Sequence, residues 1–532
     1  MNVAFDPWIP VVSTEGKLEL ASLAGVFADG GNYADLAVRP HERVSLMRLF
    51  LCVAHAALDG PKDYYEWCEV PKRLPDAAQK YLTEWKDSFE LFHPEKPWLQ
   101  VAGLSTKARV GGMPDDISSW TPVSKLNFSF ATGNASTLFD HEGVIPEERE
   151  TPLNEAIVSI VAFQCFSVGG LIGQVFWNGQ RCGELADPRK ENGPVKSSDG
   201  PCVPSSMLHA MLRGASLSKT IFLNIPNYDD IRLSCKGIEI GRPVWEKRPT
   251  SLSGCPNIAN ATETYVGRLV PLTRLIRFHP TGQRILLGNG FTYRSFVNDF
   301  PQEPTATVIS KDDKRMLLSY RPAKAIWREL AAVAVKRKAD GTGGPLSLRS
   351  IQDGHGCDLV ISALARDKAT ILDAVESIFA VPPKLLLSEG AASYEGEVKK
   401  AETLGSRLGW AVETYRREVD RGWEGRLKAA GASKGKLKEK LHSLATIHFW
   451  TTVEKNLPLL MAHIEAIGTD GAMPARDIWR KMLYRAALDA YTIACGQETP
   501  RQMRAFAKGW QVLEAKKTED ETDVNDQQED EV

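Results

Sequence analysis

The hydrophobic pattern of the chain changes at Pro382-Pro383, and no other feature constrains the fold as strongly. Beyond these prolines, apolar residues recur at steps of three and four, the spacing that places them on one face of an α-helix. Three such stripes are visible: Leu404, Leu408, Ala411, Tyr415 and Val419; Leu437, Leu441, Leu444 and His448; Trp479, Leu483, Ala486, Ala490 and Ile493. Successive amphipathic helices bury their apolar faces against one another, so a helical bundle is predicted here. We place the domain boundary near residues 380–392.

The residues before this boundary mix helical and strand-like patterns. Helices are predicted at residues 41–59, 154–168, 205–214 and 323–338. Strands are predicted at residues 221–225 and 285–287, the latter joined through Gly288-Asn289-Gly290 to a partner that carries Phe291 and Tyr293. The predicted fold class is therefore α+β, with a large mixed α/β N-terminal domain followed by the helical C-terminal part.

Residues 359–372 predict a β-hairpin. Two apolar runs, at residues 359–361 and 370–372, flank the charged centre Arg366-Asp367-Lys368, so the flanks are expected to be buried and the tip to lie in solvent. A solvated turn is the simplest interpretation of that tip. The alternative is a charged tip on a rigid base that enters a groove, a duplex or a partner's cleft.

Three further segments are open to a structural and a functional interpretation. Gly169-Gly170, after the buried helix at 154–168, is either a helix C-cap or a bare backbone that a ligand can approach closely. The loop at residues 127–134 either folds back onto the core or inserts into a partner or stacks on a nucleotide base. A group of arginines forms either a solvated strand face or a basic face: Arg274, Arg277, Arg284 and Arg294.

The charge of the chain is distributed unevenly. Its formal net charge is −2, but residues 518–532 hold eight acidic residues and no basic ones, a composition that predicts disorder. Without this tail, 65 basic residues face 59 acidic ones, a net charge of +6 that permits a nucleic-acid surface. No run reaches the roughly 18 apolar residues that cross a bilayer, and the N-terminus has no signal-peptide pattern, so a cytoplasmic location is expected.

Two common catalytic motifs are absent from the sequence, the phosphate-binding loop and the zinc-protease motif, and its nine cysteines include no C-x-x-C pair. His141 and His355 each lie beside carboxylates in Gly-rich loops, where a surface histidine is favoured over a metal ligand. We therefore expect a protein that is not an enzyme and needs no cofactor or metal. The alternatives are a metal-dependent nuclease built on these histidines and a purely architectural protein.

Several stretches, in order along nearly the whole chain, resemble one family, the large subunit (CasA) of the type I-E CRISPR surveillance complex, Cascade. The residues that carry the resemblance are Asp6-Pro7-Trp8-Ile9-Pro10-Val11, residues 212–225, Arg242-Pro243-Val244-Trp245, Tyr265-Val266-Gly267-Arg268-Leu269, the hairpin with Ala369-Thr370-Ile371-Leu372, and His448-Phe449-Trp450. The resemblance implies a DNA-recognition domain over residues 1–385, a four-helix bundle over 386–515 and the acidic tail over 516–532.

The family resemblance also implies a function and partners. A non-catalytic subunit of this kind recognises the protospacer-adjacent motif (PAM) of double-stranded target DNA from the minor groove. It wedges the duplex open to start the R-loop and helps recruit the helicase–nuclease. Its other partners are the crRNA-containing ribonucleoprotein with its backbone, handle-binding and small subunits, and no membrane is involved. Guide pairing carries sequence specificity in such systems, so a short motif reader and a wedge suffice.

Individual residues follow from the resemblance. The family's glycine loop is similar to Ser167, Val168, Gly169 and Gly170, and its wedge falls on Arg366, Asp367, Lys368 and Ala369. Its loop toward the crRNA 5′ handle resembles Asn127, Phe128, Phe130, Thr132 and Asn134, with Phe130 as the anchor. Its lysine finger has no clear counterpart, and Arg284 or Arg294 is the candidate for that charge.

The wedge departs from the family pattern at one position. Family members commonly carry glutamine or a similar neutral residue where this chain has Lys368. Lysine contacts a phosphate or a minor-groove acceptor, but it cannot accept hydrogen bonds as an amide does. Because the minor groove distinguishes little beyond A·T from G·C, the family's PAM preference is not carried over to this chain.

Overall fold

The structure is a computed structural model of the chain. It describes residues 1–106, 120–130, 150–169, 175–182, 201–204, 206–352, 355–367, 370–420 and 433–514, without the side chains of 433–438. The chain divides into two compact units, Met1–Val381 and Pro382–Val532.

The N-terminal unit mixes helices and strands. Its described helices are α1 (Leu23–Asp29), α2 (Pro40–Leu58), α3 (Tyr64–Glu84), α4 (Leu153–Phe166), α5 (Leu217–Asn224), α6 (Tyr228–Ser234), α7 (Asn257–Glu263), α8 (Tyr265–Leu269) and α9 (Leu330–Ala334). Short 3₁₀ helices lie at Lys86–Phe89, Val123–Leu126, Ile326–Glu329 and Leu346–Ser350.

The strands of this unit form several small antiparallel sheets. The described strands are β1 (Ile9–Ser13), β2 (Leu18–Ala21), β3 (Tyr33–Leu36), β4 (Leu104–Ser105), β5 (Thr121–Pro122), β6 (Phe176–Trp177), β7 (Gln180–Arg181), β8 (His209–Arg213), β9 (Arg274–Phe278), β10 (Arg284–Asn289), β11 (Phe296–Val297), β12 (Phe300–Pro301), β13 (Val308–Lys311), β14 (Lys314–Leu317), β15 (Cys357–Asp367) and β16 (Thr370–Val381). The three-stranded sheets have the orders β2-β1-β3, β5-β10-β9, β16-β15-β8 and β4-β6-β7, and β11-β12 and β13-β14 are two-stranded.

Helix α2 lies at the centre of the core. Leu46, Leu49 and Phe50 are inaccessible to solvent, and the helix packs against α3, α4 and α8. Pro40 begins it where no intrahelical N–H is needed, and the Glu42 carboxylate accepts a hydrogen bond from the Arg39 amide at 2.9 Å. The predicted helices at 41–59 and 154–168 are confirmed as α2 and α4. Both helices carry buried residues on nearly every face.

Two predictions of secondary-structure type are wrong: a predicted strand is a helix, and a predicted helix is a strand. Residues 221–225 are not a strand, since residues 221–224 belong to α5 and Ile225 is its C-cap. The N-cap Ser216 accepts a hydrogen bond from the Lys219 amide. The Asn224 amide group closes that helix by donating to the carbonyls of Leu212 and Thr220. The helix predicted at 205–214 is wrong, because its apolar run forms β8 and is buried beside β15. Short apolar runs do not distinguish a buried strand from a helix.

Two further predictions near the C-terminal end of this unit are wrong. Strand β10 pairs with β9 and not with Phe291 and Tyr293. Gly288 lies inside this strand and not in a turn, and glycine is needed there because a Cβ would meet a Val175 methyl group at 2.2 Å. The helix predicted at 323–338 is reduced to a 3₁₀ turn and α9. The chain leaves the helix because the buried Arg337 guanidinium donates to the carbonyls of Glu303, Ala306 and Gly344.

Within its described residues, all regular secondary structure of the C-terminal unit is helical. A 3₁₀ turn at Pro383–Leu386 precedes α10 (Ser388–Asp420), α11 (Ser433–Lys455), α12 (Leu457–Ala466), α13 (Ala472–Ala494) and α14 (Pro500–Glu514). Helix α10 packs against α11, α13 and α14, and α13 packs against α11 and α12. The predicted fold class, mixed α/β followed by a helical C-terminal region, is confirmed.

Two of the three predicted stripes in this unit face its interior for most of their length. Leu408, Ala411 and Tyr415 are buried in α10, and Trp479, Leu483, Ala486 and Ala490 are buried in α13. The predicted stripe in α11 lies one residue away from the buried face of the helix, since Leu444 is 42% exposed. The buried residues of α11 are instead Ala445, Phe449 and Val453, with Phe449 packed against Gly405.

Candidate nucleic-acid interface

The predicted hairpin is confirmed and is longer than expected. Strands β15 and β16 pair from Cys357–Val381 at the base to Asp367–Thr370 at the described end, while β8 pairs with the other edge of β15. The register shifts between Ala365 and Arg366. Lys368 and Ala369 lie outside the described residues. The hairpin therefore has a rigid base, because β15 is held on both edges.

Arg366 does not lie in solvent, so the prediction of an exposed charged centre is wrong for this residue. It is 6% exposed. Its guanidinium donates to the carbonyls of Phe166 at 3.0 Å and Val203 at 3.1 Å, with a longer contact to the Ser167 carbonyl at 3.4 Å. Asp367, the next residue, is exposed. The side chain of Arg366 therefore faces the interior, where the carbonyl groups at the end of α4 accept its hydrogen bonds.

The end of α4 is set by Ser167 and not by a glycine. Ser167 leaves helical geometry at φ −48° and ψ 132°, and its amide donates to the Phe163 carbonyl at 2.8 Å. Ser167 is fully buried, Val168 and Gly169 are half-buried, and Gly170 lies outside the described residues. This segment, residues 167–169, is the described part of the predicted glycine loop.

Arg274, on strand β9, also holds this segment. Its Nε donates to the Ser167 hydroxyl at 2.6 Å, and its guanidinium also contacts the Val168 carbonyl and the Asn289 side chain. Burial lowers the pKa of Arg274 to about 10, so it remains charged at neutral pH. This interior role differs from both interpretations of Arg274 as part of a solvated or a basic strand face, although the neighbouring Leu275 and Ile276 signal a buried strand.

Gln164 completes the attachment of α4 to β9. Its side-chain amide donates to the Arg274 carbonyl at 2.8 Å, and its side-chain oxygen accepts from the Arg274 amide at 2.9 Å. A glutamine inside an apolar helix is the signal that would have identified this contact, because a buried amide needs partners. Together with the Arg366–Phe166 hydrogen bond, which joins segments 200 residues apart, these contacts attach the end of α4 to both β15 and β9.

The predicted handle loop folds back where it is described. Phe128 is 7% exposed and stacks on Phe163 with ring centroids 5.4 Å apart, and Asn127 is also buried. The Asn127 and Phe128 side chains thus pack in the interior of the unit, and their contact with the crRNA handle stays a prediction. Phe130 is half-buried, whereas Thr132 and Asn134 lie outside the described residues.

The four arginines do not form one basic face. Arg274 is interior, Arg277 lies over the Trp120 ring at 5.9 Å, and Arg284 is half-buried and donates to the Trp120 carbonyl at 2.8 Å. The Arg294 side chain is exposed. Of the two candidates for a basic finger, Arg294 is therefore the more accessible.

Metal-ligating groups do not cluster in the parts of the chain that the structure describes. No group of three or more His, Cys, Asp or Glu side chains there is arranged to hold a metal ion. His355 is exposed, and His141 lies outside the described residues. Across the same parts, none of the helices is both long enough and apolar enough to span a membrane.

Comparisons with known proteins agree over almost the full length. The model of the family described as CRISPR-associated protein Cse1 matches residues 2–490. The chain is similar to CRISPR-associated protein CasA/Cse1 of Thermus thermophilus, with 25% identity over 540 aligned residues that cover 96% of each protein.

Two solved structures are similar in fold. The crystal structure of Thermobifida fusca Cse1 has a TM-score of 0.72 at 20% identity and covers 97% of this chain and 98% of that one. A chain of a CRISPR RNA-guided surveillance complex has a TM-score of 0.67 at 17% identity, covering 97% of this chain and 99% of that one.

Proposed function

The chain belongs to the CRISPR-associated protein Cse1 family, and from this premise we propose that it is the large, non-catalytic subunit of an RNA-guided surveillance complex. In this role it recognises a PAM in duplex DNA from the minor groove, wedges the duplex open to start the R-loop and helps recruit the helicase–nuclease. A similar chain occurs in a structure named as a CRISPR RNA-guided surveillance complex. The same role places the protein in the cytoplasm.

One observation carries the proposal: the candidate reading loop and the candidate wedge meet. The hydrogen bond between the Arg366 guanidinium and the Phe166 carbonyl joins the end of the hairpin to the start of the 167–169 segment. A protein that reads a short motif and opens the adjacent base pairs needs both elements within a few base steps of each other. The 3.0 Å contact supports that arrangement.

The physical chemistry of each element fits its proposed task. A segment with glycine and little side-chain bulk lets backbone groups approach the minor groove, whose acceptors distinguish mainly A·T from G·C pairs. Unstacking a base step costs a few kcal/mol, which an inserted rigid hairpin offsets through new contacts. The paired edges of β15 supply that rigidity, and Lys368 supplies a charge for phosphate or minor-groove acceptors.

The remaining assignments complete the proposal. Phe130, half-buried at the end of a described segment, is the anchor toward the crRNA 5′ handle and the other subunits. Arg294 is the favoured basic finger because its side chain is exposed. Residues 386–515 form the bundle that contacts partner subunits, and residues 516–532 are an acidic tail outside this contact.

The test uses the assembled complex and two DNA substrates. Lys368→Ala is expected to weaken capture of a PAM-bearing duplex much more than capture of the same target with its first base pairs already opened. The matched control is Lys311→Ala, which removes an exposed lysine from the end of another hairpin, β13-β14. Equal losses on both substrates, or an equal effect of the control, would contradict the wedge assignment.

A further inference from the structure

Arg366 is held in place by its backbone as well as by its side chain. The Ser206 hydroxyl accepts a hydrogen bond from the Arg366 amide at 2.8 Å and donates one to the Arg366 carbonyl at 3.1 Å. The register shift after Ala365 occurs at this point of the strand pair. A bulge re-aims the side chain that follows it. Arg366 therefore points from the end of β15 toward the end of α4.

We infer that Arg366 is a positioning residue that makes the 167–169 segment and the hairpin tip one mechanical unit, so that motif reading and duplex opening are coupled. This inference rests on the proposed function, and it assigns to Arg366 a role other than contact with DNA. Displacement of the segment by a bound minor groove is transmitted through the guanidinium to β15, and displacement of the tip returns by the same path.

Arginine is suited to this role for geometric reasons. A guanidinium has five N–H donors in a planar fork, and this one reaches the carbonyls of Phe166 and Val203 from a single buried position. The last carbonyls of a helix lack intrahelical donors and carry partial negative charge, so a buried cation there is favourable. A lysine ammonium is a point charge with a different reach, and it cannot reproduce the fork.

Arg274 binds the same segment from another strand. It contacts Ser167 and Val168 from β9, whereas Arg366 binds the preceding carbonyls from β15. The segment is therefore held by two guanidiniums that belong to different sheets. Arg274 anchors the segment to the body of the unit, and Arg366 alone joins it to the hairpin among these contacts.

The experiment compares Arg366→Gln with Arg248→Gln in complexes assembled on one guide RNA. Arg248 is a matched control because it is half-buried and its guanidinium donates to the Pro97 carbonyl at 3.0 Å, away from both elements. Binding is measured on three duplexes, which carry the PAM, lack the PAM, or carry the PAM beside pre-opened base pairs. The discrimination ratio is the affinity for the first duplex divided by that for the second.

Coupling predicts a specific pattern. Arg366→Gln lowers the discrimination ratio at least about tenfold, the order expected for loss of charge-assisted hydrogen bonds, and it also lowers the affinity for the pre-opened PAM duplex. Arg366→Lys recovers only part of the loss, whereas a role that needs only a buried cation would recover fully. A discrimination ratio and an affinity for the pre-opened duplex that both lie within about twofold of those of the Arg248→Gln complex would overturn the inference.

A second variant keeps the test decisive if Arg366→Gln prevents assembly. Ser206 has φ +58°, a conformation that glycine adopts without strain, so Ser206→Gly removes the hydroxyl and preserves the backbone. It is expected to lower discrimination about fivefold, and an unchanged ratio would overturn the inference. If Gly169→Ala and Lys368→Ala both leave duplex capture unchanged, the proposed function fails instead.

Discussion

The buried imidazole of His209 makes the N-terminal unit sensitive to acid in a predictable way. His209 lies on β8, fully buried, with Nδ1 at 2.8 Å from the Thr305 hydroxyl and its ring against the edge of Phe166. Burial lowers the pKa of His209 to about 4; the Glu303 carboxylate opposes this shift, and the Arg48 and Arg366 guanidiniums add to it. The folded protein therefore holds the neutral ring at neutral pH.

The sign and size of the effect follow from proton linkage. Because the folded pKa lies below the ordinary value of 6.5, the stability contributed by neutral His209 is complete above pH 6.5 and is lost as the pH falls toward 4. Each pH unit in that window costs about 1.4 kcal/mol of unfolding free energy. At pH 5 the loss amounts to about 2 kcal/mol from this residue alone.

The assay is urea unfolding of the purified chain, followed by tryptophan fluorescence at pH 7.5, 6 and 5. His209→Gln keeps a hydrogen-bonding group near Thr305 but does not titrate, so its stability should fall about 2 kcal/mol less than that of the wild type between pH 7.5 and 5. His41 and His55, whose pKa values are also lowered to about 4 by burial, contribute equally to both proteins and cancel.

The exposed His355 provides the control. His355→Gln makes the same histidine-to-glutamine change at an exposed position of the same unit, so it controls for the effect of the substitution itself. If His209→Gln and the wild type lose the same free energy between pH 7.5 and 5, His209 is protonated without cost in the folded state. The argument from burial and from the adjacent guanidiniums would then be refuted.

Two further predictions separate packing from function. Phe128→Ala should lower the unfolding free energy by about 3 kcal/mol, as expected for a buried aromatic ring. Phe130→Ala, at a half-buried position, should lower it less and should weaken assembly with the guide-containing complex. Denaturation and co-purification measure the two effects. In the C-terminal unit, Gly509→Ala should lower the unfolding free energy by about 1–3 kcal/mol, because its Cβ would lie 2.0 Å from the Tyr491 hydroxyl. Gly409→Ala has open space around it and should raise the unfolding free energy by about 0.5–1 kcal/mol. Thermal unfolding measures both effects.

The periodicity of the sequence predicts long elements well. Helices α2, α4 and α10 and the β15-β16 hairpin each carry enough apolar residues in one repeating pattern to specify their type. The family is also identified by the order of short motifs along the chain, and the Cse1 family match confirms that resemblance.

Short apolar runs are predicted poorly, because tertiary contacts decide their structure. Residues 221–225 contain strand-forming side chains, yet the Ser216 cap and the Asn224 bonds to β8 complete a helix there. The apolar residues of β8 form a strand because they pair with the edge of β15 that β16 leaves open. Neither contact partner lies within the local window that a periodicity argument uses.

The location of charged side chains is the least predictable feature of the candidate site. The sequence Arg366-Asp367-Lys368 gives three adjacent residues the same expected exposure, but Arg366 points inward and Asp367 outward. A strand alternates its two faces, so neighbouring residues need not share an environment. The inward position is accessible to arginine only because the carbonyls at the end of α4, distant in sequence, accept its protons.

Stability alone does not account for two buried guanidiniums at one short segment. Replacing buried ionic groups by apolar side chains of similar size is often neutral or stabilising, so an apolar pair would hold α4 against the sheets equally well. Apolar contacts are non-directional and tolerate small shifts. Hydrogen bonds from Arg274 and Arg366 to particular backbone carbonyls and to one hydroxyl instead fix residues 166–168 in position and orientation. Such precision orients the half-buried Val168 and Gly169, the part of the segment that we propose meets base edges.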